Sequence, residues 1–294
     1  MIVFENDGEI DPRLVMLIGV NVKETESPIG FFGTGLKYAV ACLLRWGEEI
    51  RIQSGVNEFT FRSTPTEIRG KSFGIISMFS RYDRAELGFT TDLGKRWEPW
   101  MVYRELWCNA HDEPSPRVYD VDVAPRPSVG TTRVVVGGTQ IEDAHGSRSQ
   151  FILDIDRSPI CSTGAVDIYA GPAKRIFYRG IAVRNLGKPA LYTFNIKEAL
   201  ALTEDRTANA WWTDVLIARA LTHIDCVSVI DETLLAPPAV YESTIDYDYA
   251  ADPKAPWQIR AAAIVADRPL DVPTSVRRKF ETDVKTCPTC GRPM

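Results

Sequence analysis

The stretch Pro28 to Leu44 reads PIGFFGTGLKYAVACLL, and the rest of the chain is best read outward from it. Gly30, Gly33 and Gly35 precede an apolar run with helical spacing that holds one lysine, Lys37. Glycines let backbone N–H groups come close to a bound group, and a helix N-terminus favours negative charge. The stretch therefore predicts a phosphate cradle built from Gly30, Gly33, Thr34, Gly35, Leu36 and Lys37. Its spacing is neither G-x-x-x-x-G-K-[ST] nor G-x-G-x-x-G. A glycine turn that serves only the packing of the following helix is the alternative.

With 294 residues the chain can form one large domain or two ordinary ones. Its 45% hydrophobic and 25% charged residues are those of a globular protein, and the net charge of −5 argues against a nucleic-acid coat. No apolar run approaches the roughly 20 residues that span a bilayer, and the first residues carry no signal-peptide pattern. The expectation is a cytoplasmic protein without a membrane partner. Cys42, Cys108, Cys161 and Cys226 stand in apolar surroundings and read as buried thiols. Cys287 and Cys290 form a Cys-x-x-Cys knuckle, which offers two of the four ligands a closed Zn²⁺ site needs; a flexible tail is the alternative.

Outward from the glycine stretch, Met1–Phe4 reads as a strand running into Glu5-Asn6-Asp7-Gly8, and Pro12–Ile18 as a helical turn. Alternation and β-branched residues predict strands between Glu49 and Phe79, at Val118–Val123 and at Thr131–Val136. Trp100–Ala110 has helical spacing without breakers. Gly137–Ser149 is polar and glycine-bearing, so it reads as a loop and a domain boundary. Beyond it, FILDI, RIFYRGIAV and ALYTFNI read as strands, and Trp211–Ile224 and Pro256–Val265 as helices. The order lacks a regular βαβ rhythm, which favours α+β layers over a doubly wound sheet.

Glu105 and Asn109 stand four apart on the predicted helix and so share a face. A carboxylate there can act as general base for a water, and a carboxamide oxygen can ligate Mg²⁺. A solvated helix face is the alternative.

The string ELWCNAHDE around this pair resembles the first motif of the GHKL ATPase superfamily, which includes gyrase B, the mismatch-repair ATPase, heat-shock chaperones and histidine kinases. VFENDGEI resembles the family's D-N-G-x-G-I box, GVNVKETESPIGFFGTGLKYA its lid and second glycine box, and VGTTRVVV its G-T-T strand beside adenine. LALTEDRT, after RIFYRGIAVRN and LYTFNI, resembles the transducer string that supplies an arginine to the γ-phosphate. The resemblance implies Glu105 as base, Asn109 on Mg²⁺ and Arg206 on the γ-phosphate. It places Asn6, Gly8 and Thr131 around adenine, with Glu5, or else Asp7, as the adenine acid. The motifs stand in permuted order, since the Glu-Asn helix follows the glycine helix instead of preceding the acidic box.

The implied fold is α+β: a Bergerat-type α/β sandwich over 1–145, with a mixed sheet and helices on one face. A smaller β–α transducer-like domain follows over 146–270, then a tail over 271–294 that carries the cysteine knuckle. The implied function is Mg²⁺-dependent ATP binding with slow hydrolysis, coupled to movement of domains or of the protomers of a homodimer. The client protein is not written in the sequence. The alternatives are an interaction module of the same fold that does not hydrolyse nucleotide, and a nucleic-acid-processing ATPase.

Overall fold

The computed structural model describes residues 1–17 and 34–280, which divide into two units, Met1–Arg148 and Ser149 onward. In the first unit the chain runs β1 (Ile2–Asp7), α1 (Arg13–Met16), α2 (Gly35–Trp46), β2 (Glu49–Ser54), β3 (Asn57–Ile68), β4 (Lys71–Phe79) and β5 (Arg84–Thr90). It continues through α3 (Pro99–His111), β6 (Arg117–Asp120), β7 (Thr131–Gly137) and α4 (Thr139–Gly146). The strands form one seven-stranded sheet in the order β5-β4-β3-β2-β7-β1-β6. Every pairing in it is antiparallel, where the sequence reading had a mixed sheet.

The alternation of each strand decides which residues meet the helices. Phe4 packs edge-on against Tyr103 of α3, with ring centroids 5.0 Å apart. Ile2, Phe4 and Asn6 of β1, paired with Val136, Val134 and Thr132 of β7, therefore form the helix-side face. Helices α2, α3 and α4 share that face, since α3 touches both of the others. Val40, Leu43, Val102 and Leu106 are buried between helices and sheet. The hydrophobic spacing of GLKYAVACLL thus serves a helix, α2, that closes at Gly47 in a left-handed turn.

Beyond the sheet body, β3 and β4 continue as a two-stranded ribbon whose residues from Arg62 to Ser72 are exposed. It turns at Arg69-Gly70, with φ of 52° and 74°. Two successive positive φ values are those of a type I′ hairpin turn, which glycine at the second position makes inexpensive.

The second unit holds β8 (Cys161–Ser162), β9 (Val166–Tyr169), β10 (Ala173–Tyr178), β11 (Ile181–Ala190) and β12 (Thr193–Ile196). Helices α5 (Ala210–Leu221), α6 (Val227–Leu234), α7 (Ala255–Asp267) and α8 (Thr274–Phe280) follow. Its sheet runs β11-β10-β12-β9-β8, with β10 and β12 parallel. RIFYRGIAV is a hairpin broken at Arg179-Gly180, again with two positive φ values, 48° and 86°. Trp257, Phe194, Ile196 and Leu221 anchor this core.

Three local expectations are corrected. Gly137–Ser149 is not a loop but contains α4, whose Ile141 and Ala144 are buried despite the polar composition around them. FILDI makes only a single bridge, Ile152 to Ile181, in place of a strand. Part of the proposed tail is helical, as α8, with Val276 fully buried. Gly30, Gly33, Cys287 and Cys290 lie outside the described residues.

Candidate functional site

The glycine helix and the Glu-Asn helix meet. A Cβ built on Gly35, the first residue of α2, would stand 2.0 Å from Oε2 of Glu105 and 2.8 Å from its carboxyl carbon. Only glycine admits the carboxylate at that distance. Glu105 is 1% exposed, so a buried carboxyl group lies beside the first residue of α2.

Thr34 precedes Gly35 at the N-cap position. A threonine there ordinarily accepts a hydrogen bond from the first turn, yet Thr34 makes no such cap bond. Its Oγ1 is buried without a hydrogen-bond partner. Leaving a buried hydroxyl unpaired costs about 1–3 kcal/mol, and a ligand oxygen would supply the missing partner. Lys37, one turn into α2 and 1% exposed, donates from Nζ to the Leu14 carbonyl of α1 at 2.8 Å. Burial holds its ammonium below the ordinary lysine pKa. Asn109 is half-buried one turn after Glu105 on α3. Thr34, Gly35, Leu36, Lys37 and Glu105 therefore converge on one helix end.

The candidates on β1 divide between the two faces of the sheet. Asn6 is on the helix side, 8% exposed, opposite Thr132. The Thr132 hydroxyl donates to the Gly8 carbonyl and accepts from the Ile10 amide, which fixes the turn after β1. Glu5, Asp7 and Thr131 fall on the opposite face by the same alternation. There Glu5 accepts from Arg117 Nη2 at 2.6 Å, Tyr119 Oη at 2.5 Å and Arg133 Nε at 2.7 Å. Burial pushes its carboxyl up, but the bonds and charges of Arg133, Tyr119 and Arg117 outweigh this and hold it below the usual range. Thr131 Oγ1 donates to the Ser128 carbonyl. Neither Glu5 nor Thr131 is brought to Gly35 and Glu105. Asp7 is at the exposed end of β1, 3.9 Å from Arg117. Gly8 takes a φ of 97° and donates to the Gly130 carbonyl.

Arg206 belongs to the second unit, between β12 and α5. It is 4% exposed and has a φ of 55°, a conformation that costs a non-glycine residue about 1 kcal/mol or more. Its amide donates to the Thr203 carbonyl, closing a turn that Thr203 and Thr207 also bridge.

Two groups escaped the sequence reading. The Arg117–Tyr119–Arg133 cluster needs the register of three strands to be seen, because its members are up to 128 residues from Glu5 in sequence. Arg104, beside Glu105, is buried with its guanidinium 5.1 Å from the Trp100 ring. Its position within an apolar helical run was the available signal.

Among the described residues no group of three or more His, Cys, Asp or Glu side chains is placed to hold a metal ion. None of the helices among them is long and apolar enough to cross a membrane. Comparison with protein-family models, with curated proteins and with solved structures found no match. What the chain defines on its own is an α+β protein of two units, with a buried carboxylate at a glycine-led helix start.

Proposed function

We propose that the first unit binds Mg-ATP at the start of α2 and hydrolyses it slowly, as the resemblance to GHKL ATPases implies. The observation that carries this reading is the convergence of Glu105 on Gly35 beside the unpartnered Thr34 hydroxyl. Two motifs about 70 residues apart, which the resemblance pairs in one site, lie together, and a buried donor is left for an oxygen ligand.

The residues fit the nucleotide through complementary polar groups. First-turn N–H groups of α2, the Thr34 hydroxyl and the Lys37 ammonium suit phosphate oxygens. Glu105 would accept the proton of an attacking water. Its burial excludes bulk solvent, which strengthens charge interactions at the site. Asn109 would hold Mg²⁺ through its carboxamide oxygen, with phosphate oxygens and waters completing the shell, as Mg²⁺ commonly requires. The metal, when bound, neutralises charge developing on the phosphates. Asn6, buried on the helix-side face, suits the base; Glu5 and Asp7 lie on the opposite face of the sheet, so neither is assigned to adenine.

Phosphate release from Mg-ATP tests the assignment. Glu105→Gln is expected to lower turnover at least a hundredfold, within the range general-base removal produces, while nucleotide binding is retained. Turnover equal to wild type in Glu105→Gln would remove Glu105 from the chemistry.

A second reading, an interaction module that binds nucleotide without hydrolysing it, is favoured by one feature. The Glu105 carboxyl already fills the space beside the first residue of α2. Saturable binding without phosphate release would select it.

A further inference from the structure

Charge is spread unevenly over the first unit. Residues 62–84 cover the outer part of β3, all of β4 and the start of β5. They hold five Lys and Arg against two acids, Glu67 and Asp83, in a chain whose net charge is −5. The five, Arg62, Arg69, Lys71, Arg81 and Arg84, are all exposed. Among the described residues none of them forms an ion pair.

Strand register gathers three of them on one face. Thr60 pairs with Phe79, Arg62 with Ser77 and Ile68 with Lys71, while Phe79 also pairs with Arg84 of β5. Phe61, Ile76 and Met78 alternate with these residues and are buried on the helix side. Arg62, Lys71 and Arg84 therefore share the opposite face with Phe73, Ile75 and Phe79 of β4. Side-chain contacts agree: the guanidinium carbons of Arg62 and Arg84 lie 5.4 and 5.5 Å from the centre of the Phe79 ring. Arg84 Nη2 also donates to Ser77 Oγ at 3.2 Å. Phe73 and Ile75 are half-buried, so each keeps a surface toward solvent. Tyr82, in the turn between β4 and β5, is 86% exposed, with the Arg81 guanidinium 5.2 Å from its ring. The face also carries Glu86, opposite Ser77, and Glu58, which accepts from Gln53 Nε2 at 3.0 Å.

An aromatic and aliphatic row on one strand, flanked by cations on its neighbours, matches the chemistry of a single nucleic-acid strand. Unpaired bases have faces to stack on rings, and the phosphates beside them meet Lys and Arg. A duplex keeps its base faces stacked inside and offers only groove edges. We infer that this face of β3, β4 and β5 binds single-stranded nucleic acid. Bases stack on Phe73 and Tyr82, and phosphates meet Arg62, Lys71 and Arg84. The Phe79 ring holds two of those guanidinium groups in place. Arg69 at the ribbon turn and Arg81 beside Tyr82 extend the cationic track at its two ends. None of the residues that converge on Gly35 takes part, so the inference stands apart from the Mg-ATP reading.

Fluorescence anisotropy of labelled oligo-U and oligo-dT, each about 12 nucleotides long, mixed with the full chain tests this. Either strand should bind saturably, with log K falling against log salt at a slope of about −2 to −3, as three or four phosphate contacts give. The double variant Arg62→Gln/Arg84→Gln should weaken binding about tenfold or more at 0.1 M salt and make the slope shallower by about 1.4. Tyr82→Ala removes an exposed ring and should weaken binding about tenfold while leaving the slope unchanged. Arg268→Gln removes one positive charge at an exposed site in the second unit and should leave affinity unchanged. Absence of saturable binding to both strands at low salt would overturn the inference. So would equal affinity for the dA·dT duplex of the same length, equally effective competition by poly-glutamate, or an equal loss in Arg268→Gln.

Discussion

Gly35 lies so close to the Glu105 carboxyl that any side chain at position 35 would have to displace it. Gly35→Ala would force its Cβ against the Glu105 carboxylate and should destabilise the protein by about 1–3 kcal/mol, the usual cost of overpacking. Adding Glu105→Ala should return part of that loss, so urea unfolding of the two single variants and the double variant should show non-additivity above about 0.5 kcal/mol. Thr34→Val separates a cap from a ligand group. Because the hydroxyl has no partner, its removal should leave unfolding free energy unchanged or raised, while weakening Mg-ATP binding. A working cap would instead cost about 1 kcal/mol when removed. Glu5 is a structural acid. Glu5→Gln should cost about 3 kcal/mol at neutral pH, the lower end for a broken buried ion pair, because Arg117 stays partly solvated. Its pKa is lowered by folding, so its contribution is fully present above the unfolded value near ~4.3 and is lost as pH falls through the folded value. The stability gap between wild type and Glu5→Gln should therefore close on acidification below about pH 4.

At the scale of elements, periodic segments were legible and short or composite ones were not. Trp100–Ala110 became α3 because its apolar residues repeat at helical spacing over three turns, and alternation marked β2, β3 and β4. Helix α4 escaped because eight residues with two buried side chains carry no measurable period. FILDI was over-read: its apolar residues pack without a ladder, and pairing partners are not visible in a local pattern. The meeting of the glycine helix with the Glu-Asn helix was legible in residue type, since the two were expected to cooperate. The face on which each β1 residue falls was not legible, because it depends on which side of the sheet receives the helices. The exposed β3–β4 ribbon makes its own prediction. Replacing Arg62–Ser72 by a two-residue Asn-Gly turn removes no buried side chain and should shift Tm by only a few degrees, as read by thermal melting.

For the whole molecule, each of the two units has its own sheet and its own buried core, and the elements that converge on Gly35 all belong to Met1–Arg148. Isothermal titration of the full chain with Mg-ATP tests the central claim most directly. The account predicts one saturable site whose affinity falls at least tenfold in Lys37→Met, a substitution that keeps the buried stem and removes the charge. An absence of binding heat in the wild-type chain, or equal affinity in Lys37→Met, would contradict it.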